Sequence, residues 1–317
     1  MTGRPVTGRV VVLTGGVGGA KLVLGLTHMV DPASVTAIVN TGDDFRHLGL
    51  AISPDIDTLL YTLAGKSNRA QGWGREGESW SFMDALRSLG GEDWFALGDG
   101  DLALHVLRSA RLAQGDPLSA ITRDFARAWG IAVAMLPMSD DAITTHLATD
   151  EGELAFQDYF VAHRCAPVVS AIRFEGASAA RPAPGVLDAI GDPDTQAILI
   201  APSNPWLSID PVLAVPGIRA ALAAASAPVV AVTPIIAGEA VKGPTAKLMR
   251  ELGLALTPAT IAAHYDGVID ALLVDERDRH VDVPIAHAFA DTLMTTLEDR
   301  ARVAGAALAL AASCRGR

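Results

Sequence analysis

The chain has 317 residues, half of them hydrophobic and 5% aromatic, enough apolar material for one large or two modest domains with an aliphatic core. A net charge of −11 and a pI near 5.1 argue against a general nucleic-acid or anionic-membrane surface, since each needs a basic patch. Cys165 and Cys314 make neither a CxxC pair nor a disulfide framework, and the first apolar run is too short for a signal peptide, so a soluble cytoplasmic protein is expected.

The β-branched run Val10–Leu13 reads as a buried strand that breaks into Gly15, Gly16, Gly18 and Gly19 and then Lys21. A helix is expected from Ala20 to about Val30, a strand over Val35–Val39 and a helix near Asp57–Ala64. Glycines at a strand-to-helix turn let backbone amides approach a ligand, the helix N-terminus favours anions, and Lys21 adds a positive charge. That is the architecture of a phosphate cradle. The loop is neither a Walker A sequence nor a dinucleotide fingerprint, because no Gly-Lys-Ser/Thr follows and Lys21 stands where the fingerprint needs a small residue. A plainer reading stays open, in which the glycines only permit tight strand–helix packing.

Between Lys66 and Gly130 the character changes. The stretch Gly72–Trp80 is polar and turn-rich, and helical patterns follow at Phe82–Leu89, Ala103–Arg111 and Leu118–Ala128, the last opened by Asp116 as cap and Pro117 in the first turn. Residues 66–130 therefore read as a helical insertion between segments 1–65 and 131–317, which form a nucleotide- or phosphate-binding α/β domain. Strand signals resume at Ile131–Leu136, and Thr144–Ala148 and Glu153–Ala155 flank a hairpin turn at Thr149–Gly152. Val168–Phe174, Ala197–Ile200, Val229–Val232 and Leu272–Val274 then alternate with helices, which implies a mostly parallel sheet covered on both faces. Pro182–Gly185 reads as a surface connection, and Val303–Ala312 as a packed helix too short to span a bilayer.

Ligands of open parallel sheets bind beyond the carboxyl ends of the strands, so the residues just after each strand are the ones to inspect. Those ends carry Gly15–Lys21, then Asn40, Thr41, Asp43 and Asp44, then Ser203 and Asn204, then Thr233 running on to Lys242, Gly243 and Lys247. Asp43 and Asp44, with Asp55 and Asp57 shortly after, offer hard oxygen ligands suited to Mg²⁺ bridging carboxylate and phosphate. Asp44 is the favoured ligand, since adjacent carboxylates call for a metal or counter-charge. Asp55 or Asp57 as a helix cap, Asn204 as a turn former and Lys247 on a solvated helix face are the competing readings. His47 lies just past Asp44, but the histidines show no zinc spacing, no GxSxG elbow occurs, and Asp99-Gly100-Asp101 lacks the remaining positions of a calcium loop.

The blocks Thr14–Lys21, Asn40–Asp44, Ser53–Gly65, Gly72–Arg75, Leu97–Leu102, Pro137–Asp140, Pro202–Pro205 and Lys242–Lys247 are, in order and spacing, similar to the 2-phospho-L-lactate transferases of coenzyme F420 biosynthesis. The resemblance covers nearly the whole chain. It implies a Rossmann-like three-layer α/β/α fold with a helical insertion. It also implies transfer of a phospho-hydroxyacid group, of the 2-phospholactate, phosphoenolpyruvate or 3-phosphoglycerate type. The donor would be guanosine-diphospho-linked, the acceptor the ribityl 5′-hydroxyl of the deazaflavin Fo, and the leaving group GMP. On that basis Gly15, Gly16, Gly18, Gly19, Lys21, Thr41, Ser203, Asn204, Gly243 and Lys247 are expected to contact substrate or phosphate. Asp44 and Asp57 are expected in catalysis and, with Asp55, as Mg²⁺ ligands. A cytoplasmic homodimer is implied. Two rivals remain: a non-catalytic nucleotide-sugar-binding regulator of the related gluconeogenesis-factor branch, and an NAD(P)-dependent oxidoreductase, which the missing third glycine and the Asp43–Asp44 pair disfavour.

Overall fold

A computed structural model describes residues 8–68, 71–241 and 243–315. Its centre is a seven-stranded sheet built around β1 (Arg9–Thr14) and β2 (Val35–Val39). The strand order is Ala134–Pro137, β2, β1, Thr195–Ile200, Val229–Val232, Ala271–Asp275 and Ala286–Ala290, with every neighbouring pair parallel. Side chains alternate across it, as the period of two demands: Val10 and Val12 enter one core, Val11 and Leu13 the other. The first core lies under α1 (Gly16–Leu26), α2 (Pro54–Leu63) and the C-terminal helix Leu297–Cys314. The second lies under Asp210–Ala214, Ile218–Ala223 and Pro258–His264. This is a three-layer α/β/α architecture, as the alternation of elements implies.

Three further helices, α3 (Ser81–Ser88), α4 (Asp99–Ala113) and α5 (Leu118–Ala128), occupy the segment after α2. Leu104, Leu118 and Ala126 join the same core as Val10, so α4 and α5 extend one helical layer of the sheet. A smaller apolar cluster of Ile52, Met83 and Leu97 fixes α3 and the loop after it to the hairpin Phe45–His47/Leu50–Ile52.

Several elements differ from the sequence reading, each for a local reason. Residues Val169–Glu175 do not enter the parallel sheet. They pair antiparallel with Thr144–Thr149, which also pairs with Gly152–Ala155, in a separate three-stranded sheet. Half-exposed alternation, with Ala171, Arg173 and Glu175 outward, suits a sheet with one wet face. Ala286–Ala290 supplies an edge strand that its small side chains had hidden. Asp116 does not cap α5; Pro117 is the cap position, and Asp116 pairs with Arg111. Pro182–Gly185 is partly interior, since Ala183 is buried and Pro182 bridges Ser139. Most relevant to the site, α1 begins at Gly16 instead of Ala20, so Gly16, Gly18 and Gly19 lie inside the helix and Gly15 alone makes the turn.

Candidate active site

The chain order of the strands reverses at β1: β2 and Ala134–Pro137 lie to one side, Thr195–Ile200 and the later strands to the other. The crevice between the carboxyl ends of β1 and Thr195–Ile200 is therefore the switch point where an open α/β sheet offers a ligand site. Gly15 and Ser203 close it from its two sides. The Gly15 amide donates to Ser203 Oγ at 3.2 Å, and that hydroxyl donates to the Gly15 carbonyl at 2.7 Å.

The glycines divide into two kinds. A Cβ at Gly18 would stand 2.6 Å from the Pro202 carbonyl oxygen, and one at Gly19 would stand 2.1 Å from Thr14 Oγ1. Both serve the close approach of α1 to the strand ends. Gly16 instead has φ +63° and open space where its Cβ would project. There the left-handed conformation requires glycine, and a side chain would project into open space.

The helix terminus is already partly occupied by an internal anion. Asp55, in the first turn of α2, accepts the Gly16 amide on Oδ1 at 2.7 Å and the Asn40 amide on Oδ2 at 2.9 Å. Asn40 Oδ1 in turn accepts the Gly42 amide at 2.8 Å. Burial nonetheless pushes the Asp55 carboxyl up to about 6, against the hydrogen bonds from Asn40 and Gly16 that favour its charge.

Beyond β2, Asp43 and Asp44 are held at the same end of the sheet. Burial, then the charge of Asp55, raises the Asp43 carboxyl well above the usual range, and Asp44 adds to it. Burial likewise raises Asp44, whose Oδ2 accepts the Ser53 hydroxyl at 2.7 Å. Asp43 Oδ1 and Asp44 Oδ1 are buried without a hydrogen-bond partner, as are Thr41 Oγ1, Thr145 Oγ1 and Asn204 Nδ2. Orphaned buried oxygens on adjacent carboxylates mark a site that lacks its counter-charge.

No group of three or more His, Cys, Asp or Glu side chains among the described residues forms a ready-made metal cage. Mg²⁺ does not need one, because it commonly takes one or two carboxylates together with water and substrate phosphate oxygens. The hard, unpartnered oxygens of Asp43 and Asp44 fit such an ion.

The other residues singled out in the sequence separate clearly. Asp57 is engaged elsewhere: Arg108 of α4 donates Nη1 to its Oδ2 at 3.1 Å and Nη2 to its Oδ1. Lys21 donates to the Met294 carbonyl at 2.7 Å. Lys247 donates to the Pro167 carbonyl at 2.7 Å and to Tyr159 at 3.4 Å, and pairs with Glu251. Gly243 has φ +71° in the turn before Thr245–Glu251, and Lys242 lies outside the described residues. Asn204 caps the π-helical turn Pro205–Ile209, its Oδ1 accepting the Trp206 and Leu207 amides at 3.0 and 3.1 Å while its Nδ2 stays unpartnered. Its turn-forming and ligand-donating readings are thus compatible.

Two buried side chains of α4, His105 and Arg108, escaped the sequence reading, as did Thr145, whose amide donates to the Gly42 carbonyl at 2.8 Å. A signal for the first two was present. Asp101, His105 and Arg108 recur at i, i+4 and i+7, a polar stripe along one face of an amphipathic helix.

The family model for 2-phospho-L-lactate transferase CofD matches residues 10–303. A phosphoenolpyruvate transferase of Streptomyces coelicolor is 42% identical over 318 residues, covering 97% of this chain and 99% of that protein. One from Kitasatospora aureofaciens is 44% identical over 319 residues, with the same coverage of 97% and 99%. Among solved structures, a UPF0052-family protein of Bacillus halodurans has a TM-score of 0.61 at 18% identity, over 95% of this chain and 99% of that one, which shows the shared fold.

Proposed function

The chain belongs to the CofD 2-phospho-L-lactate transferase family, and from that premise we propose that it transfers a phosphoenolpyruvyl group from a guanosine-diphospho-linked donor to the deazaflavin Fo. The enolpyruvyl donor is preferred to the lactyl and glyceryl ones because the relatives at 42% and 44% identity are named phosphoenolpyruvate transferases. The observation that carries the chemistry is the open space over Gly16 at the start of α1 together with the unpartnered Asp43 and Asp44 oxygens at the same end of the sheet.

In this reading the ribityl 5′-hydroxyl oxygen bonds to the β-phosphorus of the donor. The bond from that phosphorus to the bridging oxygen breaks, and GMP departs with the oxygen and the electron pair. The hydroxyl proton passes to a carboxylate of the acidic pair or to solvent. Such a displacement asks a protein for alignment and charge neutralisation more than for a covalent nucleophile. The first-turn amides of α1 beyond Gly16, whose own amide Asp55 accepts, would face the donor diphosphate, and Ser203 would keep the loop at its present distance from the opposite strand. Asn204 Nδ2 and the Thr41 hydroxyl are unpartnered donors suited to donor oxygens. Asp43 and Asp44 would hold Mg²⁺, which supplies neutralisation of the phosphate oxygens. No helix among the described residues is long and apolar enough to cross a membrane, in keeping with small-molecule substrates. The same reading carries a homodimer acting in the cytoplasm, with sedimentation velocity the check on its mass.

The test is turnover of purified protein with Fo, Mg²⁺ and each of the lactyl, enolpyruvyl and glyceryl donors in turn, with GMP and the Fo adduct followed by mass spectrometry. Adduct from the enolpyruvyl donor in preference to the others supports the reading. Adduct from another donor corrects the acid, and none from any donor, with a UDP-sugar bound tightly, would replace the transferase with a regulator.

A further inference from the structure

The helical segment after α2 places a buried positive charge, Arg108, against Asp57 of the acidic cluster. Asp57 and Tyr61 of α2 are four residues apart and share a face. Opposite them on α4 stand Asp101, His105 and Arg108. The Tyr61 hydroxyl donates to Asp101 Oδ1, and His105 Nε2 lies 3.2 Å from Asp101 Oδ2. His105 Nδ1 lies 3.4 Å from Arg108 Nη1, which also donates to the Ala51 carbonyl at 3.3 Å. Arg108 and His105 are each 1% exposed, so this row is interior. A guanidinium held on both oxygens of one carboxylate is fixed in place, which a single-point contact would not achieve.

Four buried or half-buried carboxylates, Asp43, Asp44, Asp55 and Asp57, crowd this end of the sheet. Arg108 reaches the Ala51 carbonyl at 3.3 Å, two residues before Ser53, whose hydroxyl donates to Asp44 Oδ2 at 2.7 Å, so Asp44 lies within the field of both Arg108 and Asp57. If Asp57 did not engage Arg108, the guanidinium would turn its charge on Asp44 and occupy the oxygens a cation needs. If Arg108 were absent, Asp57 would be one more uncompensated charge. We propose that Arg108 is a positioning residue: its bond to Asp57 keeps it off Asp44 and leaves the free oxygens of Asp43 and Asp44 to a divalent cation. The inference rests on the Mg²⁺ reading above and adds the role of the α4 side chain within it.

Calorimetric titration of Mg²⁺ into the full chain, without substrates, tests this apart from activity. Wild type, D57N, D57N/R108Q and R108K are compared, with circular dichroism as the check on folding. Releasing the guanidinium in D57N should weaken Mg²⁺ binding about tenfold or more, through a full charge brought within a few ångströms of Asp44. Removing that charge in D57N/R108Q should restore binding to within about threefold of wild type, and R108K, which keeps a cation on Asp57, should lie in the same range. Equal losses in D57N and D57N/R108Q would make Asp57 itself a metal ligand and overturn the proposal. Unchanged affinity in D57N, or a tenfold loss in R108K, would overturn it as well. Absence of binding by folded wild type would instead overturn the underlying metal reading, a distinguishable result.

Discussion

The Gly16 amide donates to Asp55 Oδ1 at 2.7 Å, so the N-terminus of the helix that resembles a phosphate cradle already holds a carboxylate from the next helix. This contact ties the two loops that flank the crevice into one unit. It also means that a donor phosphate would share the helix dipole with Asp55 and would gain from a cation between them.

The state of Asp55 gives a pH signature. Its carboxyl is raised in the folded chain to about 6, from an unfolded value near 4, so folding favours the protonated form. The contribution is fully present below about pH 4 and is lost as pH rises through about 6. Chemical denaturation of wild type and D55N, without divalent cation, should show the stability difference falling across that window by about 3 kcal/mol. A difference that is flat or rises between those values would contradict the assignment.

The two kinds of glycine should respond differently to alanine. G19A forces a Cβ to within 2.1 Å of Thr14 Oγ1 and should cost about 1–3 kcal/mol of stability by overpacking. G16A meets no atom and should cost about 1–2 kcal/mol from its left-handed conformation alone. Guanosine-nucleotide affinity should fall in G16A beyond what its stability explains. Urea unfolding and nucleotide titration of both variants decide this, and a G16A protein that binds like wild type would remove Gly16 from the ligand surface.

Arg108 should be costly to remove. R108M strands Asp57 as a buried, unpaired charge, and breaking such a pair by one partner costs about 3–5 kcal/mol. Replacing both partners with apolar or neutral groups of similar size should recover most of that loss, since the desolvation penalty disappears with the charges. Equilibrium denaturation of R108M, D57N and the double variant measures the coupling. Additive losses would mean that the two side chains act independently.

Lys247 should matter to the fold more than to the ligand. Its ammonium is desolvated, which lowers its pKa, but Glu251 and Tyr159 more than compensate, and the net shift is upward. K247M should reduce stability by about 1–2 kcal/mol through the Pro167 and Tyr159 hydrogen bonds. Guanosine-nucleotide affinity, read by fluorescence titration, should stay within about twofold of wild type; a tenfold loss would return the lysine to the phosphate site.

The parts of this account visible in the sequence are those governed by local pattern. The valine run Val10–Val12 and the regular spacing of later apolar runs announce parallel strands, and the carboxyl-end rule then leads to Gly15, Asp43, Asp44 and Ser203. The start of α1 is hidden in the sequence because Gly16, Gly18 and Gly19 look like a loop, whereas inside the helix Gly18 and Gly19 serve close packing on Pro202 and Thr14 and Gly16 serves a left-handed turn. The reach of a lysine was out of view altogether. Lys21 and Lys247 stand in the right motifs, but four rotatable bonds let each ammonium choose a carbonyl far along the chain. Arg108 is 51 residues from Asp57, and only the packing of α4 on the sheet's helical layer brings them together.

The most direct test of the central claim is the rate of GMP release from the enolpyruvyl donor in the presence of Fo, for wild type and D44N, with Mg²⁺ and then with excess EDTA. The account predicts turnover in wild type that EDTA abolishes, and a loss of about a hundredfold or more in a folded D44N, the scale expected when charge stabilisation at the phosphate is removed. D44N turning over at the wild-type rate, or turnover that persists in EDTA, would contradict it.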